Sequence, residues 1–234
     1  MQLRYEFNTN NFNLIPGSPF AYWVSAKFVK PFKNGSLLVD LIPVKKGMDT
    51  GNNEKYLKLW YEINYSKVDL FNHSKMYIPY DKGGDFRRWY GNNDYVLNWN
   101  NDGYELKHSK ANLRSMYLYF RPSITWSALT SYLSSFRYSK YNGSFDSAGS
   151  SMFPEKERNK YYLGYCNSVL ANYFLDVINP TLNYGAGSVG MLPILDDIFK
   201  NNEIDFLVSN NIKNSQQDWD SFETSWDFKK HPLI

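Results

Sequence analysis

The chain has 234 residues, enough for one large domain, and its 26 basic and 23 acidic side chains leave a net charge of only +3. Its single cysteine excludes an internal disulfide and indicates a reducing compartment, while the absence of any apolar run of about 18 residues excludes a membrane-spanning helix. The first residues also lack the basic head and apolar core of a signal peptide, so we expect a cytoplasmic protein.

The first predicted element is a helix over residues 20–32. Ser18, followed by proline, is typical of an N-cap with proline at the first helical position. Pro31 is expected to help end this helix, and Gly35 to close it. The apolar residues 37–44 then predict a short strand or buried segment.

Residues 45–56, KKGMDTGNNEKY, are a polar loop with two glycines, called the glycine loop below. Composition alone slightly favours a plain surface turn. The functional interpretation is a loop that presents Thr50, Asn52 and Asn53 to a ligand. Residues 57–68 mix apolar and polar positions without one clear period, which indicates short pieces of strand.

Residues 80–102, YDKGGDFRRWYGNNDYVLNWNND, form the most informative part of the sequence, called the central stretch below. Its positively charged side chains favour binding to a polyanion, and its paired glycines allow the protein backbone to come close to such a partner. Arginine and asparagine carry the paired groups that read base edges. The composition of this stretch therefore predicts part of a DNA-recognition surface.

The charges are unevenly distributed along the chain. Residues 106–145 contain no acid, whereas residues 194–228 carry eight acids against two lysines. A basic middle fits binding to a phosphate backbone. Taken alone, however, so weak a basic bias is explained by an ordinary solvated surface. The six cations of the middle are Lys107, Lys110, Arg114, Arg121, Arg137 and Lys140.

From residue 113 onwards the pattern predicts strands, a hairpin and then two helices. Residues 113–120 are expected to form a strand, and residues 123–136 to begin as one. The Ser- and Gly-rich residues 137–153 predict loop and hairpin. Residues 155–178 give the clearest helical pattern, and a second helix is predicted over residues 195–208. These elements predict an α+β fold, with a mixed or antiparallel sheet flanked by helices.

The sequence contains no convincing catalytic set. Residues 185–190 match GxGxxG, but no strand precedes them, so a turn is favoured over a nucleotide site. The histidines His73, His108 and His231 lack any metal-ligand spacing. Cys166 lies in an apolar helix, which favours a buried thiol over a nucleophile. Binding is therefore a better expectation than catalysis.

Several stretches together resemble the C-terminal half of the PglX family, the adenine-specific DNA methyltransferases of bacterial BREX phage-defence systems. The resemblance runs in order from about residue 13 to residue 234. The glycine loop also resembles the GxxTGxN loop that begins the target-recognition domain in TaqI-like restriction-modification methylases. The stretches are IPGSPFAYWVS, the central stretch, RPSITWSALTS, INPTLNYGAGSVGMLPI, DWDSFETSWDF and KKHPLI.

This resemblance implies a DNA-recognition fragment of an N6-adenine methyltransferase that acts on a short asymmetric site in double-stranded DNA. The family places its S-adenosylmethionine loop and its Asn-Pro-Pro-Tyr motif before this region. The letters Asn179-Pro180-Thr181-Leu182 lack the second proline and the aromatic residue, so they are no substitute. We therefore expect no catalytic residue, cofactor or metal in this chain, and S-adenosylmethionine in the parent enzyme.

Candidate DNA-binding residues are expected to stand on exposed loops, and they combine the basic and amide side chains of the central stretch with residues of the family-like loops. Residues 1–195 are expected to form the target-recognition domain and residues 196–234 a helical acidic and aromatic connector. The alternative is a protein-interaction module, in which the C-terminal aromatic residues dock on a catalytic domain or another defence subunit; a glycan-binding domain is the third and least favoured interpretation. The candidate DNA-binding residues are Lys82, Arg87, Arg88, Asn92, Asn93, Thr50, Asn52, Arg114, Thr125, Arg137 and Lys140.

Overall fold

The computed structural model describes residues 14–17, 19, 21, 23–71, 74–130, 133–141, 143–195, 199 and 202–234. Across these ranges the predicted α+β class is confirmed, because short strands in three mostly antiparallel sheets pack against helices. The predicted cap Ser18, the predicted helix start at residue 20 and His73 lie outside the described residues.

The secondary-structure elements of the described ranges are short. The helices are α1 Ala26–Asn34, α2 Leu38–Leu41, α3 Asn53–Tyr56, α4 Asn100–Lys107, α5 Asn159–Cys166, α6 Val169–Ile178, α7 Ala186–Gly190 and α8 Asn202–Trp219. The strands are β1 Ser36–Leu37, β2 Val44–Lys45, β3 Leu57–Leu59, β4 Tyr77–Asp81, β5 Tyr95–Asn98, β6 Ser123–Trp126, β7 Phe136–Ser139, β8 Ser144–Phe145, β9 Ser151–Met152 and β10 Pro193–Ile194.

Two four-stranded sheets form the body of the molecule. One has the order β2-β9-β6-β7 and is antiparallel throughout, and the other has the order β3-β5-β4-β8 with a parallel β4–β8 edge. Trp126 and Phe174 lie in the hydrophobic core beneath the first sheet, and Ile78 and Trp99 in the core of the second. The central stretch begins in β4 and continues through β5, so its loop connects two neighbouring strands of the second sheet.

The first helix begins later than the sequence pattern predicts. The hydroxyl of Ser25 accepts a hydrogen bond from the Phe28 amide at 3.3 Å, which makes Ser25 the N-cap of α1. Pro31 lies inside α1 rather than ending it, at the cost of one missing backbone donor. The predicted closure at Gly35 is confirmed, since its amide donates to the Pro31 carbonyl at 2.8 Å.

The long helix predicted over residues 155–178 is broken in two. The side chain of Asn167 accepts from the Phe136 amide at 3.0 Å and donates to the Phe136 carbonyl at 2.9 Å. This pairing with the edge of β7 ends α5, and the hydroxyl of Ser168 then caps α6 by accepting from the Ala171 amide at 3.1 Å. The interruption therefore follows from tertiary hydrogen bonds that helical periodicity does not encode.

The strand predicted over residues 113–120 is wrong. Ser115 and Phe120 have φ values of 55° and 65°, in the left-handed region that no strand uses. Residues between them form a short 3₁₀ turn, which buries Leu118 and Tyr119 in the second core. By contrast the predicted strand start at residue 123 is confirmed as β6. A C-terminal helix is also confirmed, as α8, but it continues to Trp219, past the predicted end at residue 208, and turns follow it.

Candidate nucleic-acid interface

The central stretch contains a loop, residues 83–93, whose backbone repeatedly enters the left-handed region; it is called the central loop below. Gly83, Gly84 and Gly91 have φ values of +99°, +113° and +120°. Trp89 and Asn92 also have positive φ, at 73° and 60°. Because residues with a Cβ rarely adopt this region, the surrounding structure must hold the loop in place.

Strand β7 supplies that support. The Trp89 amide donates to the Phe136 carbonyl at 2.8 Å, and the Tyr138 amide donates to the Trp89 carbonyl at 2.9 Å. Between these two bonds, the guanidinium of Arg137 donates to the Arg87 carbonyl at 3.4 Å. The central loop is therefore attached along β7, the outermost strand of the first sheet.

Arg137 is almost fully buried, and it acts as a support of the loop from beneath. Its other terminal nitrogen donates to the Ser127 hydroxyl at 3.3 Å, and that hydroxyl donates to the Gly84 carbonyl at 2.7 Å. Burial lowers the pKa of Arg137 to about 10 and raises the pKa of the nearby Asp81 to about 6. The Ser139 hydroxyl, which donates to Asp81 at 2.8 Å, partly offsets this rise.

The end of α8 and the turns that follow it pack against the central loop. Asp218 forms an ion pair of 2.8 Å with Arg87, whose guanidinium also lies 4.8 Å from the ring centre of Trp219. Trp219 is buried, and a Cβ on Gly91 would lie 3.0 Å from its ring, so only glycine fits easily at that position. The predicted candidate Arg87 is thus held by residues from the acidic end of the chain.

A second contact of this segment involves Trp226. Its indole stacks on Tyr141 with ring centres 5.3 Å apart, and its N–H donates to the Asn93 carbonyl. Asp227 accepts from Lys140 at 2.6 Å and from the Tyr141 hydroxyl at 2.8 Å. Partial burial alone would raise the pKa of Asp227, but these bonds outweigh it and the pKa is lowered.

The glycine loop is organised by the carboxylate of Asp49. This group forms an ion pair of 2.5 Å with Arg114 and accepts a hydrogen bond from the Ser147 hydroxyl. Thr50 is buried and donates to the Asn53 side chain at 2.5 Å. Asn52 is exposed, and its side-chain oxygen caps α3 by accepting from the Lys55 amide at 3.0 Å.

The glycine loop and the central loop meet through residues 145–149. The Ser147 amide donates to the Met48 carbonyl at 3.0 Å, which joins this segment to the glycine loop. On its other side, a Cβ on Gly83 would lie 3.2 Å from the Ala148 carbonyl oxygen. Two loops that are separated by the 26 residues 57–82 in the sequence therefore form one continuous loop surface.

The candidate side chains divide into two groups by exposure. The expectation that all of them stand on exposed loops is wrong for five of these side chains, which are buried. Their polar groups are mostly hydrogen-bonded within the protein. For example, the Asn92 amide donates to the Asp85 carbonyl at 2.8 Å, and the Thr125 hydroxyl donates to the Ser150 carbonyl at 3.2 Å. The buried five are Thr50, Asn92, Asn93, Thr125 and Arg137, and the exposed or partly exposed six are Lys82, Arg87, Arg88, Asn52, Arg114 and Lys140.

Sequence reasoning missed the residues that hold these loops. Asp49, Ser127 and Trp219 each contact loop residues far away in the sequence, and no local pattern marks them. Trp99 and Trp126 are buried, whereas Trp89 and Trp226 are partly exposed at the loop surface.

The described residues do not fit an S-adenosylmethionine site. The GxGxxG letters lie at α7, which follows α6 and a turn rather than a strand. The amide of Asn179 is engaged in that turn, where it donates to the Asn183 carbonyl at 2.7 Å and to the Ser188 hydroxyl at 2.9 Å. Cys166 is fully buried, and burial raises the pKa of its thiol, which disfavours the reactive thiolate.

Within the part of the chain that the structure describes, no three His, Cys, Asp or Glu side chains lie close enough together to hold a metal ion. None of the helices in the same ranges combines the length and apolar character that crossing a bilayer requires.

Comparison with known proteins finds two similar methyltransferases. The chain is 38% identical over 231 residues to the adenine-specific methyltransferase BrxX of Escherichia coli O9:H4 (strain HS), a match that covers 96% of this chain and 19% of that protein. It is 35% identical over 250 residues to the adenine-specific methyltransferase PglX of Lacticaseibacillus casei (strain Zhang), covering 99% of this chain and 21% of that protein. No family model matches the chain.

These matches confirm the predicted resemblance to PglX methyltransferases along nearly the whole chain. The chain spans about a fifth of the length of the curated relatives it matches.

Proposed function

We propose that this chain is the DNA-sequence-recognition part of an N6-adenine DNA methyltransferase of a phage-defence system. In this proposal, methyl transfer from S-adenosylmethionine is carried out by the parts of the enzyme outside the fifth of its length that this chain matches. Double-stranded DNA is then the substrate that the chain reads, and the chain itself is not catalytic.

The observation that carries this proposal is the continuous surface formed by the glycine loop, residues 145–149 and the central loop. Its backbone is rich in left-handed turns, which bring main-chain amides close to a partner. Its side chains include amides and cations, the groups that contact bases and phosphates. Nearly all of the chain matches adenine-specific methyltransferases, which supports DNA as the partner of this surface.

The exposed candidates have separate roles in this proposal. Lys82 and Arg88 contact phosphates, and Asn52 reads a base edge. Arg88 lies near Phe86, and its Nε is buried without a hydrogen-bond partner among the described residues, so one donor remains to be satisfied. Lys82 lies 4.4 Å from the ring centre of Tyr95, which orients its charge along the loop.

The other candidates either stabilise the loop surface without touching DNA or reach DNA only after a rearrangement. The five buried side chains hold the loop surface in shape. Arg87 and Lys140 reach DNA only when they leave the carboxylates of Asp218 and Asp227. Arg114 is held by Asp49, and its side chain is 41% exposed to solvent.

The proposed division of the chain keeps residues 1–195 as the recognition domain and residues 196–234 as the connector. In support, α8 packs on α5, and its last turn and the turns after it contact the central loop. The connector would then fix the central loop while it links to the remaining enzyme.

A direct test measures binding of the chain to a pool of random DNA duplexes at several salt concentrations. The double variant R87A/R88A is expected to bind more weakly, with a salt slope lower by roughly one unit per lost phosphate contact. The variant K30A/K33A removes two exposed lysines of α1 and serves as the matched control. A folded R87A/R88A variant with unchanged affinity would exclude the central loop from the interface.

A protein-interaction module remains the second candidate function, because apolar side chains are exposed on two helices. Phe206 and Leu207 on α8 are 66% and 57% exposed, and Val169 and Leu170 at the start of α6 are 87% and 53% exposed. Such exposure is typical of docking faces. Under this alternative, F206S/L207S would abolish association with the rest of the methyltransferase, whereas R87A/R88A would leave DNA binding unchanged.

A further inference from the structure

Helices α5 and α8 pack against each other and leave a cavity beside their contact. A Cβ on Gly164 of α5 would lie 2.8 Å from Cγ2 of Val208 on α8, so the two helices touch there. The cavity has a volume of about 630 Å³, which lies within the range of small-molecule sites. Leu163 of α5, Ile212 of α8 and Tyr138 of β7 supply its apolar walls. The cavity is therefore large enough for a small ligand with a ring.

The side chain of Asn159 lines this cavity with an unpaired amide. Asn159 is only 6% exposed, and its Oδ1 is enclosed without a hydrogen-bond partner among the described residues. Although Asn159 is the first residue of α5, where asparagine often caps, no side chain caps this helix. Rotation about χ2, which is soft in asparagine, turns the amide edge towards the cavity. Because buried polar groups are ordinarily bonded, this amide indicates a ligand that supplies the missing partners.

Two charged side chains of opposite sign line the same cavity. Lys156 and Glu157 are exposed, and in the part of the chain that the structure describes neither forms an ion pair. Lys160 and Asp205 also line the cavity, but they pair with each other at 3.1 Å and so join α5 to α8. An ammonium group suits a phosphate, and a carboxylate suits a ribose hydroxyl. Together with the amide, these groups match the parts of a nucleotide.

We propose that this cavity binds an adenine nucleotide, with Asn159 on the adenine, Lys156 on the phosphate and Glu157 on a ribose hydroxyl. An amide offers one acceptor and one donor. Adenine matches this pair because its N6 donates and its N7 accepts, whereas N7 and O6 of guanine both accept. The ring of Tyr138 supplies an aromatic surface for the base. This site goes beyond the proposed function, because it lies between α5 and α8 and takes no part in reading DNA.

The first test changes the ligand and leaves the protein intact. Isothermal titration calorimetry measures the binding of AMP, GMP and 7-deaza-AMP to the full chain. In 7-deaza-AMP a carbon replaces N7, which removes the acceptor and keeps the shape of the base. We expect AMP to bind, and GMP and 7-deaza-AMP to bind roughly tenfold more weakly, since each loses or mismatches one bond of the pair.

The second test changes the protein. Asn159→Leu keeps the size of the side chain, and it should bind AMP roughly tenfold more weakly and no longer distinguish AMP from GMP. Lys156→Ala should weaken the binding of AMP and leave that of adenosine, which lacks the phosphate, unchanged. The control Lys213→Ala removes an exposed lysine of α8 that does not line the cavity, and it should change neither affinity.

The nucleotide proposal fails if the wild type shows no saturable binding of AMP at millimolar concentrations. It also fails if GMP or 7-deaza-AMP binds as tightly as AMP, or if N159L or K156A keeps the full affinity for AMP. The comparison with 7-deaza-AMP decides the matter even where N159L does not fold, because it uses the wild type. None of these results bears on DNA binding by the loop surface, so the proposed function stands or falls separately.

Discussion

The carboxylate of Asp218 lies 2.8 Å from the guanidinium of Arg87, so an acid 131 positions further along the chain neutralises a cation of the central loop. Asp227 does the same for Lys140, at 2.6 Å. The acidic end of the chain therefore supplies the counter-charges of two candidate DNA-contacting side chains, Arg87 and Lys140. The sequence shows the acids and the cations as separate runs and does not reveal that they pair.

Releasing these cations should strengthen DNA binding. The double variant D218N/D227N is expected to bind duplexes more tightly, with a salt slope steeper by roughly one unit per released cation. Because both ion pairs are partly exposed, the loss of stability should be about 1 kcal/mol or less per pair. Fluorescence anisotropy against salt measures the effect. The control D205N breaks the comparable pair with Lys160, and an identical gain in that variant would point to total charge alone.

Arg137 should be essential for stability, although it is a cation in a proposed DNA-binding chain. Arg137→Ala leaves the Arg87 carbonyl and the Ser127 hydroxyl without their buried donor, which should cost roughly 3 kcal/mol in urea unfolding. Arg137→Lys keeps the charge but loses the forked geometry and should lie between the two. The exposed Arg121→Ala is the control and should change stability by less than about 0.5 kcal/mol. Equal effects of R137A and R121A would contradict the supporting role.

Asp81 should make the stability of the fold depend on pH. Burial raises its pKa to about 6 from an ordinary value of 3.8, so the folded state binds its proton more tightly than the unfolded state. The stability that the folded state gains by holding this proton is fully present below the ordinary pKa of 3.8, and it is lost as the pH rises through about 6. Relative to Asp81→Asn, the wild type should lose roughly 3 kcal/mol of unfolding free energy between pH 4 and pH 7. A difference between the two proteins that stays constant with pH would show that Asp81 is ionised without penalty.

Trp219 should hold the central loop in place. Its ring is buried against Gly91 and Arg87, so Trp219→Ala is expected to cost about 3–5 kcal/mol and to increase hydrogen exchange in residues 83–93. Phe222→Ala, three residues later on an exposed ring, is the matched control and should leave exchange unchanged. Slow exchange of the central loop in a folded W219A variant would contradict this attachment.

Much of the fold follows from local sequence patterns. The residues of β6 and most of α6 are predicted because their apolar positions carry a clear strand or helix signal, and Gly35 closes α1 as expected. The errors arise where tertiary contacts decide. Asn167 leaves the helix to pair with Phe136, and no helical pattern contains that information.

The candidate site is predictable in its segments more than in its side chains. Glycines and cations mark the glycine loop and the central loop, and the structure brings these two segments together. Whether a cation is exposed depends on what packs over it. Arg137 looks like a DNA contact by type, yet β7 places it beneath the loop.

The recognition role of the chain is tested most directly by exchanging the corresponding fifth of the Escherichia coli BrxX relative for this chain and sequencing the methylome of cells that carry the hybrid. The account predicts that adenine methylation continues and that the methylated DNA motif changes from that of the E. coli relative to a new one. An active hybrid that methylates the unaltered motif of the E. coli relative would contradict it.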